Sequence, residues 1–310
     1  MRKKSLDCIY ELAKQDSRVV YIGSDVGAET LEQFKKEMPD RFFMEGISEA
    51  HIIGMAAGLA KSGYIPYVNT IATFLTRRCY EQIVIDVCLQ NLPVKLIANG
   101  GGLVYAPLGP THMAVDDIGL MRLLPNMQII APCDAHEMRE YMMKTIDIPG
   151  PVYVRVGKGD EPNISTEQKR LWKEPNEALI ITTGVMIHQA LKAIDLLQDK
   201  GVTCGLLHLP RIKPIDIDLV LTRIKETRLI ITLEEHLRAG GLGSNILEIL
   251  SDLHHINTPK ILRLGLPDHF VELYGSQQEL FQHYELDATG ISQRVLQCLA
   301  TINSNALLSL

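Results

Sequence analysis

The stretch RFFMEGISEAHIIGMAAGLAKS, residues 41–62, reads as strand, turn and helix in direct succession. Phe42, Phe43 and Met44 form a short apolar strand. Gly46 turns the chain, and Ser48 stands as N-cap to a helix whose first turn holds Glu49, Ala50 and His51. A carboxylate in a first turn is ordinary, because a helix N-terminus is electropositive. The helix behind it is less so. Gly54, Ala56, Ala57, Gly58 and Ala60 leave room for another backbone to come close, so the helix is expected to be buried, and Glu49 with it. A buried carboxyl either finds a donor or holds its proton more tightly, and both outcomes serve catalysis.

Strand and helix alternate on either side of this unit. Before it come a helix over 1–15, a buried strand over 19–22 and a helix over 29–37. Between the last two lies a loop in which Asp25 reads as a turn former. After it come a strand ending at Ile71, a long helix over 76–91, a strand over 94–98 and a glycine-rich loop over 99–109. A helix near 115–123, a strand at 128–131, a helix at 134–147 and a strand at 152–156 follow. The charged stretch beyond, with Pro162 and Pro175, reads as a linker over 161–176. A second alternation then places strands near 178–183, 202–207, 229–233 and 260–264. Its helices fall near 186–200, 216–226, 241–253 and 289–301. The expected fold is α/β in two domains, 1–160 and 177–310, each a mostly parallel sheet flanked by helices.

The totals exclude several classes. Apolar residues make up 46% and charged residues 22% of 310, as in soluble globular proteins. A net charge of −6 offers no basic field for nucleic acid. No apolar run of about 18 residues marks a membrane span. The N-terminal Arg2, Lys3 and Lys4 lead into an amphipathic helix and not into a signal peptide. The six cysteines lack CxxC spacing, so they read as reduced thiols of a cytoplasmic protein, without disulfides or zinc.

Four segments, GISEAH with AAGLA, TFLTRRCYEQIVIDV, GPTHMAVDDIGLMRLLPNMQIIAPCD and LEEHLRAGGLGSNI, resemble transketolase-type thiamine diphosphate enzymes. They stand in the family's order and span nearly the whole chain. The resemblance implies a pyrimidine-binding domain over 1–160 and a transketolase C-terminal domain over 177–310. It implies that Glu49 hydrogen-bonds the cofactor's aminopyrimidine nitrogen and so helps to activate it. It makes Phe74 the aromatic stacked on that ring. Either Arg77 or Arg78 would face the cofactor, since the chain carries one extra residue there; Arg77 is the expected one. Tyr80 and Glu81 read as helix packing and a solvated face. His112, in GPTH, would contact substrate and move protons near the reacting carbonyl.

Asp116 and Asp117 read as a helix cap. The loop before His112 lacks the acidic and histidine residues with which transketolase meets sugar hydroxyls, leaving Asn99 or Tyr105 to do so. Arg155 and Lys158 stand where relatives bind a substrate phosphate, although a lysine lacks arginine's bidentate fork and Lys158 equally suits a solvated linker. The Glu234-Glu235-His236 segment with its glycines reads as structural.

No GDG string followed by Asn occurs, the nearest being Gly159-Asp160, so the Mg²⁺-diphosphate site is expected on a separate subunit. The resemblance thus implies half of a split transketolase that transfers a two-carbon ketol unit between sugars or sugar phosphates, in an α2β2 assembly. A 1-deoxyxylulose-5-phosphate synthase, a 2-oxo acid dehydrogenase β subunit and a non-catalytic scaffold are the competing readings.

Overall fold

Short apolar runs buried on both faces become parallel strands here, and the helices between them cover those faces. The computed structural model describes residues 1–24, 31–159, 161–171, 177–225, 227–252 and 259–307. Asp25, Asp160 and residues 172–176 of the expected linker lie outside the described residues. In chain order the strands are β1 (Val19–Gly23), β2 (Phe42–Met44), β3 (Ile65–Ile71), β4 (Lys95–Asn99), β5 (Gln128–Ile130) and β6 (Val152–Val156). β7 (Ala178–Thr182), β8 (Cys204–His208), β9 (Arg211–Lys213), β10 (Leu229–Leu237) and β11 (Lys260–Leu266) follow. One sheet has seven strands in the order β2-β1-β3-β4-β6-β5-β9, and the other four in the order β11-β10-β7-β8. All pairs are parallel except β5 with β9.

That exception blurs the domain boundary expected at the linker. β9 follows β8 of the second sheet, yet it crosses back and closes the edge of the first, Ile129 opposite Lys213. Ile212 is fully buried there, in the core of the first sheet. Three residues are too few to show a period, so the strand is invisible to periodicity.

The decisive helix spans Glu49–Lys61. Ile52, Ile53, Ala56 and Ala60 press into the core of the first sheet. Gly54 and Gly58 do not: a Cβ at either would meet nothing within 4 Å. The small residues therefore serve packing within this chain only in part. Ser48 precedes the helix as expected, but its hydroxyl turns back to donate to the Glu45 carbonyl (2.9 Å) and caps nothing.

The expected long helix over 76–91 is broken. An α-helix runs Ala72–Arg77, a short turn spans Tyr80–Gln82, and a π-helical turn spans Ile83–Cys88. The Cys79 thiol back-bonds to the Leu75 carbonyl at 2.7 Å. The β-branched run Ile83, Val84, Ile85 and Val87 crowds a regular α-turn. Such wide turns recur at functional sites. A further helix, Gln277–His283, lies outside the apolar pattern although its capping box, Ser276 with Glu279, stands in the sequence.

Lys95 opens β4 in full burial, its amine donating to the carbonyls of Ile148 (2.6 Å) and Gly150 (2.8 Å). Desolvation lowers its pKa to about 7. The unfolded lysine titrates near 10.4, so between those values the unfolded chain binds the extra proton and stability rises with pH. The wild type should therefore gain about 1–2 kcal/mol over Lys95→Met between roughly pH 7.5 and pH 9. Paired urea titrations across that range check this. A flat difference would show that Lys95 keeps its charge on the two carbonyls.

Candidate active site at the carboxyl edge of the first sheet

Loops at the carboxyl ends of parallel strands are where α/β sheets place ligands. The turn after β2 leads into the helix that begins at Glu49, and β3 runs directly into the helix Ala72–Arg77 that carries Phe74. β4 ends at Asn99 and opens the glycine-rich loop that carries His112.

Three of the expected residues form one connected group. Glu49 is only 4% exposed. Its carboxylate accepts from the Arg78 guanidinium at 3.2 and 3.3 Å. The same guanidinium lies 3.9 Å over the Phe74 ring, a favourable cation–π placement. Phe74 in turn meets the His112 ring edge-on at 5.1 Å between centroids. His112 Nδ1 pairs with the Thr111 hydroxyl at 2.9 Å.

The arginine beside Glu49 is Arg78, and not the expected Arg77. Arg77 turns the other way, onto the Asp116 carboxylate (2.8 and 3.0 Å) and the Met113 carbonyl (3.3 Å). Adjacent residues on a helix point about 100° apart, so the two arginines do not share a target. Tyr80 packs with its hydroxyl donating to the Leu120 carbonyl (3.3 Å), and Glu81 is exposed. A cavity of about 580 Å³ opens beside the Arg77–Asp116 pair, walled by Pro110, Met113, His269 and Phe270.

Asn99 stands apart from that group. It is 1% exposed, and neither atom of its amide has a hydrogen-bond partner among the described residues. The buried Thr73 hydroxyl is likewise unsatisfied. A buried amide without a partner is costly, so such a group calls for water, an ion or a ligand to satisfy it. Tyr105 serves a different end. Its ring covers Gly100, where φ is +75° and an added Cβ would strike the ring. Lys158 is exposed just beyond β6.

Arg155 is a correction. The sequence expectation gave it a substrate phosphate, but it is 7% exposed, and its guanidinium binds Asp117 (2.8 and 3.0 Å) and the carbonyls of Ala114 (3.0 Å) and Glu235 (2.9 Å). The group faces inward, onto its own chain. The Tyr153 hydroxyl also donates to Asp117 (2.7 Å). Asp116 and Asp117 are accordingly not a cap: neither carboxylate bonds the backbone of the helix they begin, and each is claimed by an arginine.

The Glu234–His236 segment proves structural, as expected, and reaches further than expected. Glu234 caps the helix Leu242–Asp252 by accepting from Leu242 (2.7 Å) and Gly243 (2.9 Å). Glu235 accepts from the Leu103 amide and from the Gln277 side chain, both at 2.6 Å. It fills the space over Gly102, where a Cβ would strike its carboxylate. Burial pushes its carboxyl up to about 7, against the pull of Arg155. His236 Nε2 accepts from the Gly119 amide (3.1 Å). Two acids near the end of a nine-residue buried strand were the available signal, since charges in such a strand require partners.

A buried carboxyl group beside an aromatic face, with a histidine at the ring's edge, suits a flat polar ring that can stack on the face and share a proton with the carboxyl. Residues 1–162 match the transketolase pyrimidine binding domain and residues 168–291 the transketolase C-terminal domain. The chain belongs to the transketolase family. It is 36% identical over 305 residues to one of the subunits of the apulose-4-phosphate transketolase of Phocaeicola vulgatus, covering 96% of both chains. It is 38% identical over 294 residues to the 1-deoxy-D-xylulose-5-phosphate synthase of Syntrophotalea carbinolica, covering 92% of this chain and 46% of that one. Against that second relative the chain spans about half the length. A solved structure of a split gene transketolase, an inactive beta4 tetramer, superposes with a TM-score of 0.84 at 32% identity, over 96% of this chain and 98% of that one. No helix among the described residues is long and apolar enough to cross a membrane.

Removing one partner of a buried ion pair leaves an uncompensated charge, at about 3–5 kcal/mol. Asp117→Ala should therefore destabilise by about that much, read as a lower denaturant midpoint, whereas Asp116→Ala on its exposed pair should cost under about 1 kcal/mol. Equal effects would show that Arg155 finds other compensation.

Proposed function

We propose that this chain is one half of a two-subunit, thiamine diphosphate-dependent transketolase that moves a two-carbon ketol unit between sugars or sugar phosphates. The observation that carries the reading is the buried Glu49 carboxylate joined through Arg78 to Phe74 and His112, at the sheet edge of a chain of this family. The buried amide of Asn99, at the end of β4 and without a partner among the described residues, supports a ligand as well. These residues fit the cofactor's pyrimidine ring. Glu49 would hold it by a shared proton, Phe74 would lie against it, and Asn99 and His112 would meet the substrate. Thiamine diphosphate, when bound, supplies the carbanion chemistry that no side chain provides.

Arg78 and Glu49 set the starting state. The guanidinium covers both the carboxylate and the Phe74 face, so it must swing aside before a ring can lie there. At 49% side-chain exposure it has room to do so. Glu49 then needs a new partner for its buried charge, and a proton-sharing ring nitrogen is one. His112, against the ring edge, is placed to give or take a proton at a substrate oxygen. Lys158 would supply a point charge for a substrate phosphate, while Arg155 and Arg77 stay with their aspartates.

A second chain bearing the GDG…Asn motif would hold Mg²⁺ and the diphosphate, in an α2β2 assembly. The open stripe at Gly54 and Gly58 on the Glu49 helix supports an approaching chain. So does the split gene transketolase, whose beta4 tetramer is inactive. The likeness to deoxyxylulose phosphate synthases keeps decarboxylative condensation as the second reading. Release of CO₂ during turnover would decide for it.

Thiamine diphosphate with Mg²⁺, titrated calorimetrically, should bind the mixture of both chains and not this chain alone. Tight Mg²⁺-dependent binding to the lone chain would refute the divided site. In the reconstituted enzyme Glu49→Gln should lower kcat at least about 10²-fold with the fold intact by circular dichroism; near-normal turnover would remove Glu49 from cofactor activation. His112→Ala should lower kcat more than it weakens cofactor binding, and an unchanged rate would return His112 to a packing role.

A further inference from the structure

The geometry points to a divalent, thiophilic cation site, best suited to zinc, formed by Cys133, Glu137 and His208 where the two sheets' domains meet. This is independent of the active-site reading and runs against the absence of zinc spacing in the sequence. The ligands come from separate elements. Cys133 precedes and Glu137 lies within the first turn of the helix Ala135–Lys144, and His208 ends β8 of the second sheet.

One ligand atom from each of the three residues lies within 4.8 Å of the others, and all three residues are buried. His208 Nε2 stands 2.9 Å from Glu137 Oε2. Tetrahedral zinc with bonds of about 2.0–2.3 Å holds its ligand atoms about 3.3–3.8 Å apart, so rotation of the Cys133 and Glu137 side chains closes the set. Sulfur, imidazole nitrogen and carboxylate oxygen together favour zinc over magnesium or calcium, which take oxygen alone.

The surroundings balance the charge. Lys169 lies 3.2 Å from Asp134 and 3.4 Å from Glu137. On binding, the Cys133 thiol releases its proton to solvent. The thiolate, Asp134 and Glu137 then carry three negative charges, matched by one divalent ion and the Lys169 ammonium. A cavity of about 640 Å³, lined by Glu137, His208, Lys169 and Asn163 among others, opens onto two of the three ligands from outside. It provides the ion's route and room for a water as fourth ligand. Asp134 accepts from the amides of Glu137 (2.7 Å) and Ile164 (3.0 Å) and is not counted as a ligand; Glu137 Oε2 keeps the Cys133 amide (2.8 Å) and would turn to the ion the lone pair it now offers His208.

The test uses the full chain stripped of metal with a chelator. Titration with Co²⁺ should give one ion per chain, visible ligand-field bands of tetrahedral cobalt and a near-ultraviolet thiolate-to-cobalt charge-transfer band. Zinc should displace the cobalt and raise Tm, by ligand linkage. Cys133→Ser, close in volume, should lose the charge-transfer band, and His208→Gln should weaken uptake at least tenfold. Should His208→Gln fail to fold, Cys133→Ser with Cys133→Ala still decides. A charge-transfer band that survives in folded Cys133→Ser, or no stoichiometric uptake by the folded wild type, overturns the site.

Discussion

The buried contact between Arg155 and Asp117 is the constraint on which the rest of the structure depends. A guanidinium in the middle of an otherwise apolar strand cannot be left alone. Its partners come from both halves of the chain: Asp117 and the Ala114 carbonyl from the first, the Glu235 carbonyl from the second. Satisfying one arginine therefore fixes the start of a helix, the end of the glycine-rich loop and the position of β10. The Glu235 side chain continues the tie by holding the Leu103 amide, with Gly102 bare of any side chain so that it can reach. His112 sits between these two anchors, and its placement beside Phe74 follows from them.

Much of this was legible because buried parallel strands announce themselves as apolar runs between turns. The Glu49 helix, the alternation and the order of elements all follow from that signal. What escaped has physical causes. β9 has three residues, and its sheet membership is a tertiary fact. The break at Cys79 accompanies the thiol's bond to the Leu75 carbonyl and the β-branched run behind it, which the apolar period of the sequence does not encode. The phosphate expectation for Arg155 failed because a position in a motif says which residue type stands there and not where its side chain points. Its neighbours Tyr153 and Val154 already marked a strand interior, and an arginine there demands an acid. The Asp116-Asp117 pair was the candidate acid, but a helix start explains aspartates so readily that it hides a stronger claim on them.

Within this chain the Glu49 carboxylate and the Phe74 ring share one partner. Arg78 neutralises the carboxylate and covers the aromatic ring, so that neither is left bare. The buried polar side-chain atoms of Asn99 and Thr73 meet no hydrogen-bond partner among the described residues.

The crossing of β9 has a further consequence. The first sheet ends on a strand donated from beyond the linker, held by Lys213, whose amine donates to the carbonyls of Arg122 and Leu124. A piece cut at the linker would expose the edge of β5 and lose Ile212 from its core. The first domain is thus distinct as architecture but not as a contiguous module: it cannot be moved without a strand that the chain supplies after the linker.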